Sequence, residues 1–509
     1  MTTTPGLQPE RTALAWRRTL LAATVVVVLL VRSVVVAPSP AAPAGLCAGC
    51  VLLAAIAVTA RLRRRRYLRD PADPRPVPVP AAAVICAAIC LTACAVLPPL
   101  ARAGPPALPP EQEISMTRTV DPRDMTWTRG FLDPAHVRQH ATTIREMSPT
   151  RRVWRGTGTA RQLPAAPADL AELPVRWTWD RTVPLRQALA ESDTDALVVV
   201  HRGRLVHEQY LHGYLPHEPH LNASLTKSYI GLLAALVEDQ GLIRRDEPAA
   251  TYVPELAGTG LGAATVQQLL HMTTHVDFGG RPYDRVLEAH RFWAVVSPGL
   301  RPAGYTGPTT ILDHLTTSRA TGPFDAEFRY DNANTEVIAE ILRRVTGLPI
   351  ADLLGELVWS RIGAAEDAYF VVDSAGAEMA CGGFAATALD GARMGEMLRC
   401  EGTVAGRQVV PAAVARSITA VPEGPTRKVR LPRDPVDAPP RLGYHDFWWI
   451  LDDGHGSYMA SGIHGQRLYV SPGQELVIVH YGAHILSPAV PPPPLVLLFA
   501  QIGAALSAG

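Results

Sequence analysis

"NASLTKSYIGLL", residues 222–233, carries one of the only two lysines in the chain. Of 48 basic side chains, Lys227 and Lys428 are lysine and the rest are arginine. An Arg-, Ala- and Pro-heavy composition accounts for scarce lysine in general, which makes the one kept at 227 worth explaining. After Ser224 the apolar residues Ile230, Leu233, Leu236 and Val237 recur at helical spacing as far as Gly241, so the stretch predicts a helix that Ser224 begins. Ser224 and Lys227 then share one helix face, one turn apart. A serine hydroxyl is a poor nucleophile until a neighbour accepts its proton. Lysine can do that when burial lowers its proton affinity, whereas arginine stays protonated in any protein environment. The helix N-terminus favours negative charge developing beside Ser224.

Around this stretch, residues 115–509 read as one globular unit. "DALVVVHRGRLVHEQYL" (195–211) is two apolar runs about Arg202-Gly203, a β-hairpin signal. "ANTEVIAEILRRVTG" (333–347) is an amphipathic helix with a glycine stop. Near the C-terminus "HDFWWIL", "GQRLYVSPG" and "ELVIVHYG" read as successive strands, followed by an apolar helix set off by prolines. Strands at both ends with helices between predict an antiparallel sheet, closed by the two ends of the chain and flanked by helices.

An isolated S-x-x-K recurs by chance, and an ordinary surface lysine is its plain alternative. Two further motifs change the reading. "RYDNAN" (329–334) offers Tyr330 and Asn332, and "SGIHGQRLYV" (461–470) offers His464 between glycines on what reads as an edge strand. Singly, Tyr330 is a core aromatic, Asn332 a helix-start residue and His464 a turn histidine. Together and in this order they resemble the three motifs of the penicillin-recognising serine hydrolases: S-x-x-K, Y-x-N, and K-T-G or its H-x-G variant. "YVPELAG", "YDNANTEVIAEILRRVTGL", "CGGFAATALDGARMGEML" and "GIHGQRLYVSPG" are similar to the 6-aminohexanoate-dimer hydrolase branch of the class C β-lactamase family.

The resemblance implies a β-lactamase/transpeptidase-like α/β domain with an all-helical subdomain, and an acyl-enzyme formed on Ser224. It implies that Lys227 and Tyr330 share the proton work, with either a neutral Lys227 or a Tyr330 phenolate as the base. Asn332 would position substrate or the lysine amine. The N–H groups of Ser224 and of the 462–464 segment, Ile463 foremost, would form an oxyanion hole beside His464 and Gly465. Tyr283, in "DFGGRPYDRVLEAHRFW" (277–293), would contact substrate. No cofactor or metal is implied. His212, His217 and His220 lack regular metal-ligand spacing and read as a solvated loop. Two departures stand out. There is no K-T-G, since Lys428 lies in "PTRKVR" and reads as a solvated loop, which argues against efficient β-lactamase action. Asp331 also sets a carboxylate beside the expected site.

The first hundred residues belong to another chemistry. Runs at 20–36, 41–60 and 81–100 are nearly free of charge, and each approaches the ~20 residues that cross a bilayer. Arg11, Arg17 and Arg18 precede the first run and "RLRRRRYLRD" (61–70) follows the second. The positive-inside rule predicts a cytoplasmic N-terminus and, after three spans, export of the hydrolase domain across a bacterial inner membrane. "ERTALAWRRT" (10–19) resembles the signature of the YidH-type three-helix membrane domain of unknown function. Cys47, Cys50, Cys86, Cys90 and Cys94 fall in these apolar segments, which is no disulfide framework. "LTAC" (91–94) and "ARA" (101–103) have the form of processing sites, and the Pro-rich 101–114 reads as an extended tether. A net charge of +1 gives no footing for nucleic acid. The expected partner is a small-molecule or peptide ester or amide, with the oligomeric state left open. The competing reading is a penicillin-binding-type sensor that acylates slowly or not at all.

Overall fold

The computed structural model describes residues 134–178, 180–278, 294–296, 301, 305–429, 442–485 and 493–508. The chain divides between Glu113 and Ile114, and every described residue belongs to the second unit. The three expected spans, their motifs and cysteines, the tether and Tyr283 lie outside the described residues. Among the described residues no helix is long and apolar enough to cross a membrane.

A seven-stranded antiparallel sheet organises the domain. Its strands are β1 (Thr194–His201), β2 (Arg204–Tyr210), β3 (Leu442–His445), β4 (Trp448–Leu451), β5 (Tyr458–Ser461), β6 (Arg467–Ser471) and β7 (Leu476–Gly482). Their order is β3-β4-β5-β6-β7-β1-β2, so the last strand of the chain pairs with the first of the sheet. The two ends do close the sheet, and Arg202-Gly203 forms the β1–β2 turn with both residues at positive φ.

β1 and β7 are buried along their whole length, which explains their unbroken apolar runs. Helices cover both faces. The four that matter are α1 (Thr226–Asp239), α2 (Asn332–Thr346), α3 (Ala388–Arg399) and α4 (Leu495–Ala508). A Cβ on Gly395 of α3 would lie 2.5 Å from Val477 Cγ1 and 2.8 Å from Leu468 Cδ1, so that helix lies directly on the sheet. The alternate residues Tyr469 and His480 point to the other face, where Phe499 of α4 packs on them.

α1 is the buried axis, with eleven of its fourteen residues in the core. A Cβ at Gly231 would fall 1.9 Å from the Asp446 carbonyl oxygen, so only glycine lets α1 pass the β3–β4 turn. α2 packs on α1. It is capped by Asp331, whose side chain accepts from the Ala333 N–H, and it ends at Gly347 with φ +70. Short helices at Ala249–Tyr252, Gly260–Ala263, Val266–Leu270 and Ile311–Leu315 lie between α1 and α2 in the sequence, but Val276–Asp277 pairs with Arg319–Ala320 among them, so the expected all-helical subdomain is corrected to a mainly helical one with a short two-stranded pair.

Candidate active site

Ser224 sits in a tight turn, Ala223–Leu225, and α1 starts two residues later at Thr226. Ala223 holds φ +48, an uncommon conformation for a residue with a Cβ and a strain of the kind found at functional turns. The strand pair behind the turn fixes it. The Asn222 N–H donates to Phe384 O at 2.8 Å, and the Phe384 N–H donates to Thr226 Oγ1 at 3.2 Å.

Lys227 is 1 % exposed. Its Nζ donates to Ser224 Oγ at 3.0 Å and to Cys381 O at 2.6 Å, and it lies 5.1 Å from the centre of the Tyr330 ring. Ser224, Lys227 and Tyr330 are therefore brought together from α1 and the entry to α2. Tyr330 is held by aromatic neighbours, with Trp449 of β4 stacked on it (5.9 Å between centroids, 24° between planes) and Tyr444 of β3 edge-on at 6.3 Å. Among the described residues no hydrogen bond joins Tyr330 or Asn332 to Ser224 or Lys227. Asn332 is the first residue of α2, half-buried at its N-terminus.

The third motif arrives from the sheet. Ile463–Gly465 is a one-turn link between β5 and β6, with His464 at φ +64 and Gly465 at φ +98. The edge-strand expectation for His464 is corrected, because β5 and β6 lie inside the sheet, β6 pairing with both β5 and β7. Gly462 makes the approach possible: a Cβ there would sit 2.4 Å from Asn222 O and 3.1 Å from Leu225 N. The Ile463 turn is thus pressed against the Ser224 turn. Neither the Ser224 nor the Ile463 N–H donates to a described carbonyl outside its own helical turn. Below the turn, the buried His480 donates from Nδ1 to Gly465 O at 2.6 Å, and its Nε2 lies 2.9 Å from Thr194 Oγ1. Burial lowers the proton affinity of His480 to a pKa of about 4, which keeps it neutral, and the Gly465 carbonyl, which can only accept, sets the proton on Nδ1. His464 Nδ1 lies 2.8 Å from His484 O.

Asp331 sets its carboxylate between Tyr330 and Asn332, 5 % exposed, as the cap of α2. One further expectation is corrected. His220 is not in a solvated loop: it is wholly buried, faces Asp195 at 3.4 Å and stacks on Tyr481. Lys428 is exposed, as a loop lysine should be.

His271, His445 and Asp446 bring ligand-type atoms within 4.8 Å of one another. Both Asp446 oxygens are taken by the Arg245 fork, at 2.9 and 2.6 Å. Burial alone would raise this carboxyl, but the Arg245 hydrogen bonds hold it well below its ordinary range. A cation there would have to face a guanidinium, so the cluster is an ion-pair network. Sequence reading missed the roles of Cys381 and Trp449, of which only "CGGF" left a trace, as glycines beside a buried strand; it included Gly462 in the third motif without foreseeing its close approach to Asn222.

A buried lysine against a serine at a helix start, an aromatic hydroxyl residue beside it and a second backbone turn pressed against the serine turn define a serine hydrolase of the S-x-x-K type. Residues 184–482 match the Beta-lactamase family model, and the chain belongs to that family. It is 33 % identical over 345 residues to the 6-aminohexanoate-dimer hydrolase of Paenarthrobacter ureafaciens, covering 68 % of this chain and 84 % of that protein. A solved structure from Bacillus anthracis, provisionally assigned as a 6-aminohexanoate-dimer hydrolase, superposes with a TM-score of 0.68 at 32 % identity. It covers 76 % of this chain and 97 % of its own. Residues 4–72 match a domain of unknown function, DUF202.

Proposed function

We propose that the protein is a membrane-anchored hydrolase that cleaves an ester or amide outside the cytoplasmic membrane through an acyl-enzyme on Ser224. The observation that carries the chemistry is the short, buried geometry of Lys227, 3.0 Å from Ser224 Oγ and tied at 2.6 Å to a carbonyl that keeps it there. Ser224 Oγ attacks the substrate carbonyl carbon, and its proton leaves along the line to Lys227, with Tyr330 sharing the transfer. The carbonyl oxygen becomes an oxyanion between the Ser224 and Ile463 N–H groups. The same proton passes to the leaving alcohol or amine as the carbonyl re-forms. Water then enters by the reverse path and releases the acid. Asn332, His464, Gly465 and Tyr283 surround the substrate. The domain arrangement is three spans over 1–100, a tether over 101–114 and the hydrolase over 115–509. The uncharged runs and the DUF202 match support anchoring, and the arginine bias alone is the ground for export.

Short-chain esters and D-amino-acid peptides fit the class. With no lysine in the third motif, a β-lactam carboxylate lacks its usual cation, and efficient β-lactamase action is not expected. Steady-state hydrolysis of p-nitrophenyl butyrate by the detergent-solubilised full chain tests the reading. Continued turnover that Ser224→Ala abolishes supports it. A single stoichiometric release of p-nitrophenol without turnover would favour the slowly acylating sensor instead.

A further inference from the structure

The wall behind Lys227 contains a carboxylate that this chemistry does not use. Glu336 lies on α2, one turn after Asn332 and on the same face, and it has no exposed surface. It accepts from the Cys381 N–H at 2.8 Å through Oε1 and from the Ala380 N–H at 3.1 Å through Oε2. Cys381 in turn gives its carbonyl to Lys227 Nζ at 2.6 Å. One residue therefore meets a carboxylate through its donor and the catalytic lysine through its acceptor.

Burial pushes the Glu336 carboxyl up, while the Cys381 and Ala380 donors and Arg343 of its own helix pull it back. Burial likewise pushes the Cys381 thiol up; Glu336 raises it further and Lys227 lowers it, so all three groups share one poorly screened compartment. An apolar side chain would fill this space without the cost of burying a carboxylate. What the carboxylate adds is a grip on the 380–381 main chain and a negative charge one residue removed from Lys227.

We propose that Glu336 is the positioning residue of Lys227: it fixes Cys381 so that its carbonyl holds Nζ against Ser224, and it supplies the lysine's buried counter-charge. This rests on the acyl-enzyme reading above. The other groups facing the pair are Tyr330 at the entry to α2, Ser224 beside α1, and Arg343, which is also bound to Glu340 and Glu378.

The test is the rate of fluorophosphonate labelling against pH, read by intact mass on the solubilised full chain, for wild type and Glu336→Gln. Removing a nearby negative charge makes the ammonium form less favourable, so the midpoint of the rise in rate should move to lower pH by about one unit. The plateau should fall about tenfold as the lysine loses its alignment. A purely structural role would lower the folded fraction and leave the midpoint alone. A folded Glu336→Gln whose midpoint stays within about 0.3 unit of wild type overturns the proposal, whatever its plateau. If Glu336→Gln does not fold, Glu336→Asp keeps the charge but withdraws it by one methylene. Its plateau should fall at an unmoved midpoint, and an unchanged plateau overturns the proposal. Failure of the wild type itself to label would instead remove the hydrolase reading on which the inference stands.

Discussion

Replacing Gly462 by alanine adds one methyl group at the point where the sheet meets the nucleophile turn. The backbone there has φ −123 and ψ 159, which alanine adopts freely, so the cost is contact and not conformation. The new Cβ would lie 2.4 Å from Asn222 O, 3.0 Å from Gln466 Cβ and 3.1 Å from Leu225 N. The first distance is roughly 1 Å short of ordinary non-bonded contact. Two of the three atoms are backbone, and no rotamer change moves them. The Ile463 turn must therefore retreat from the Ser224 turn by a large part of an ångström. Overpacking of this kind costs about 1–3 kcal/mol of stability. A misplacement of about 1 Å in a reacting constellation costs ~100-fold in rate, or about 2.7 kcal/mol of barrier. The assay is p-nitrophenyl ester turnover and fluorophosphonate labelling beside a thermal unfolding curve. We expect a modestly lowered Tm and a rate loss near 100-fold. Turnover within twofold of wild type, whatever the Tm, would refute the claim that the Ile463 turn forms part of the oxyanion site.

Two other outcomes follow from the geometry. Lys227→Arg keeps the positive charge but offers no free base, and it crowds a site that is 1 % exposed, so labelling of Ser224 should fall ~1,000-fold or more; near-normal labelling would remove Lys227 from the proton work. His480 is neutral in the fold with a pKa of about 4, against an ordinary 6.5. The unfolded chain therefore binds the extra proton first, and stability present above pH 6.5 is lost as pH falls through 4, by about 3 kcal/mol. Urea titrations at pH 7 and pH 4 should show this decline in wild type and a flatter profile in His480→Asn; parallel profiles would show that His480 does not carry it.

Local chemistry made much of this molecule legible. The Arg202-Gly203 hairpin, the Gly347 stop of α2 and the serine–lysine spacing depend on residues close in sequence, and each is present. What escaped depends on distant pairing. His464 read as an edge position because nothing near it announces that β6 pairs on both sides, or that β7 beyond it returns to pair with β1, 279 residues upstream at Ile478–Val199. His220 read as solvated because its partner Asp195 lies on another strand. Asp331 is the exception, a cap of α2 whose partner Ala333 is only two residues away. Glu336 looks like the polar side of an amphipathic helix until α2 is packed against the 380–381 loop, and its only trace in sequence is the four-residue step from Asn332.

The central claim is that Ser224 is an activated nucleophile. Fluorophosphonate treatment of the solubilised full chain, read by intact mass and peptide mapping beside Ser224→Ala, tests it most directly. The account predicts one adduct per chain, on Ser224, absent from the alanine variant. A folded wild type that takes no adduct, or an adduct that persists in Ser224→Ala, would contradict it.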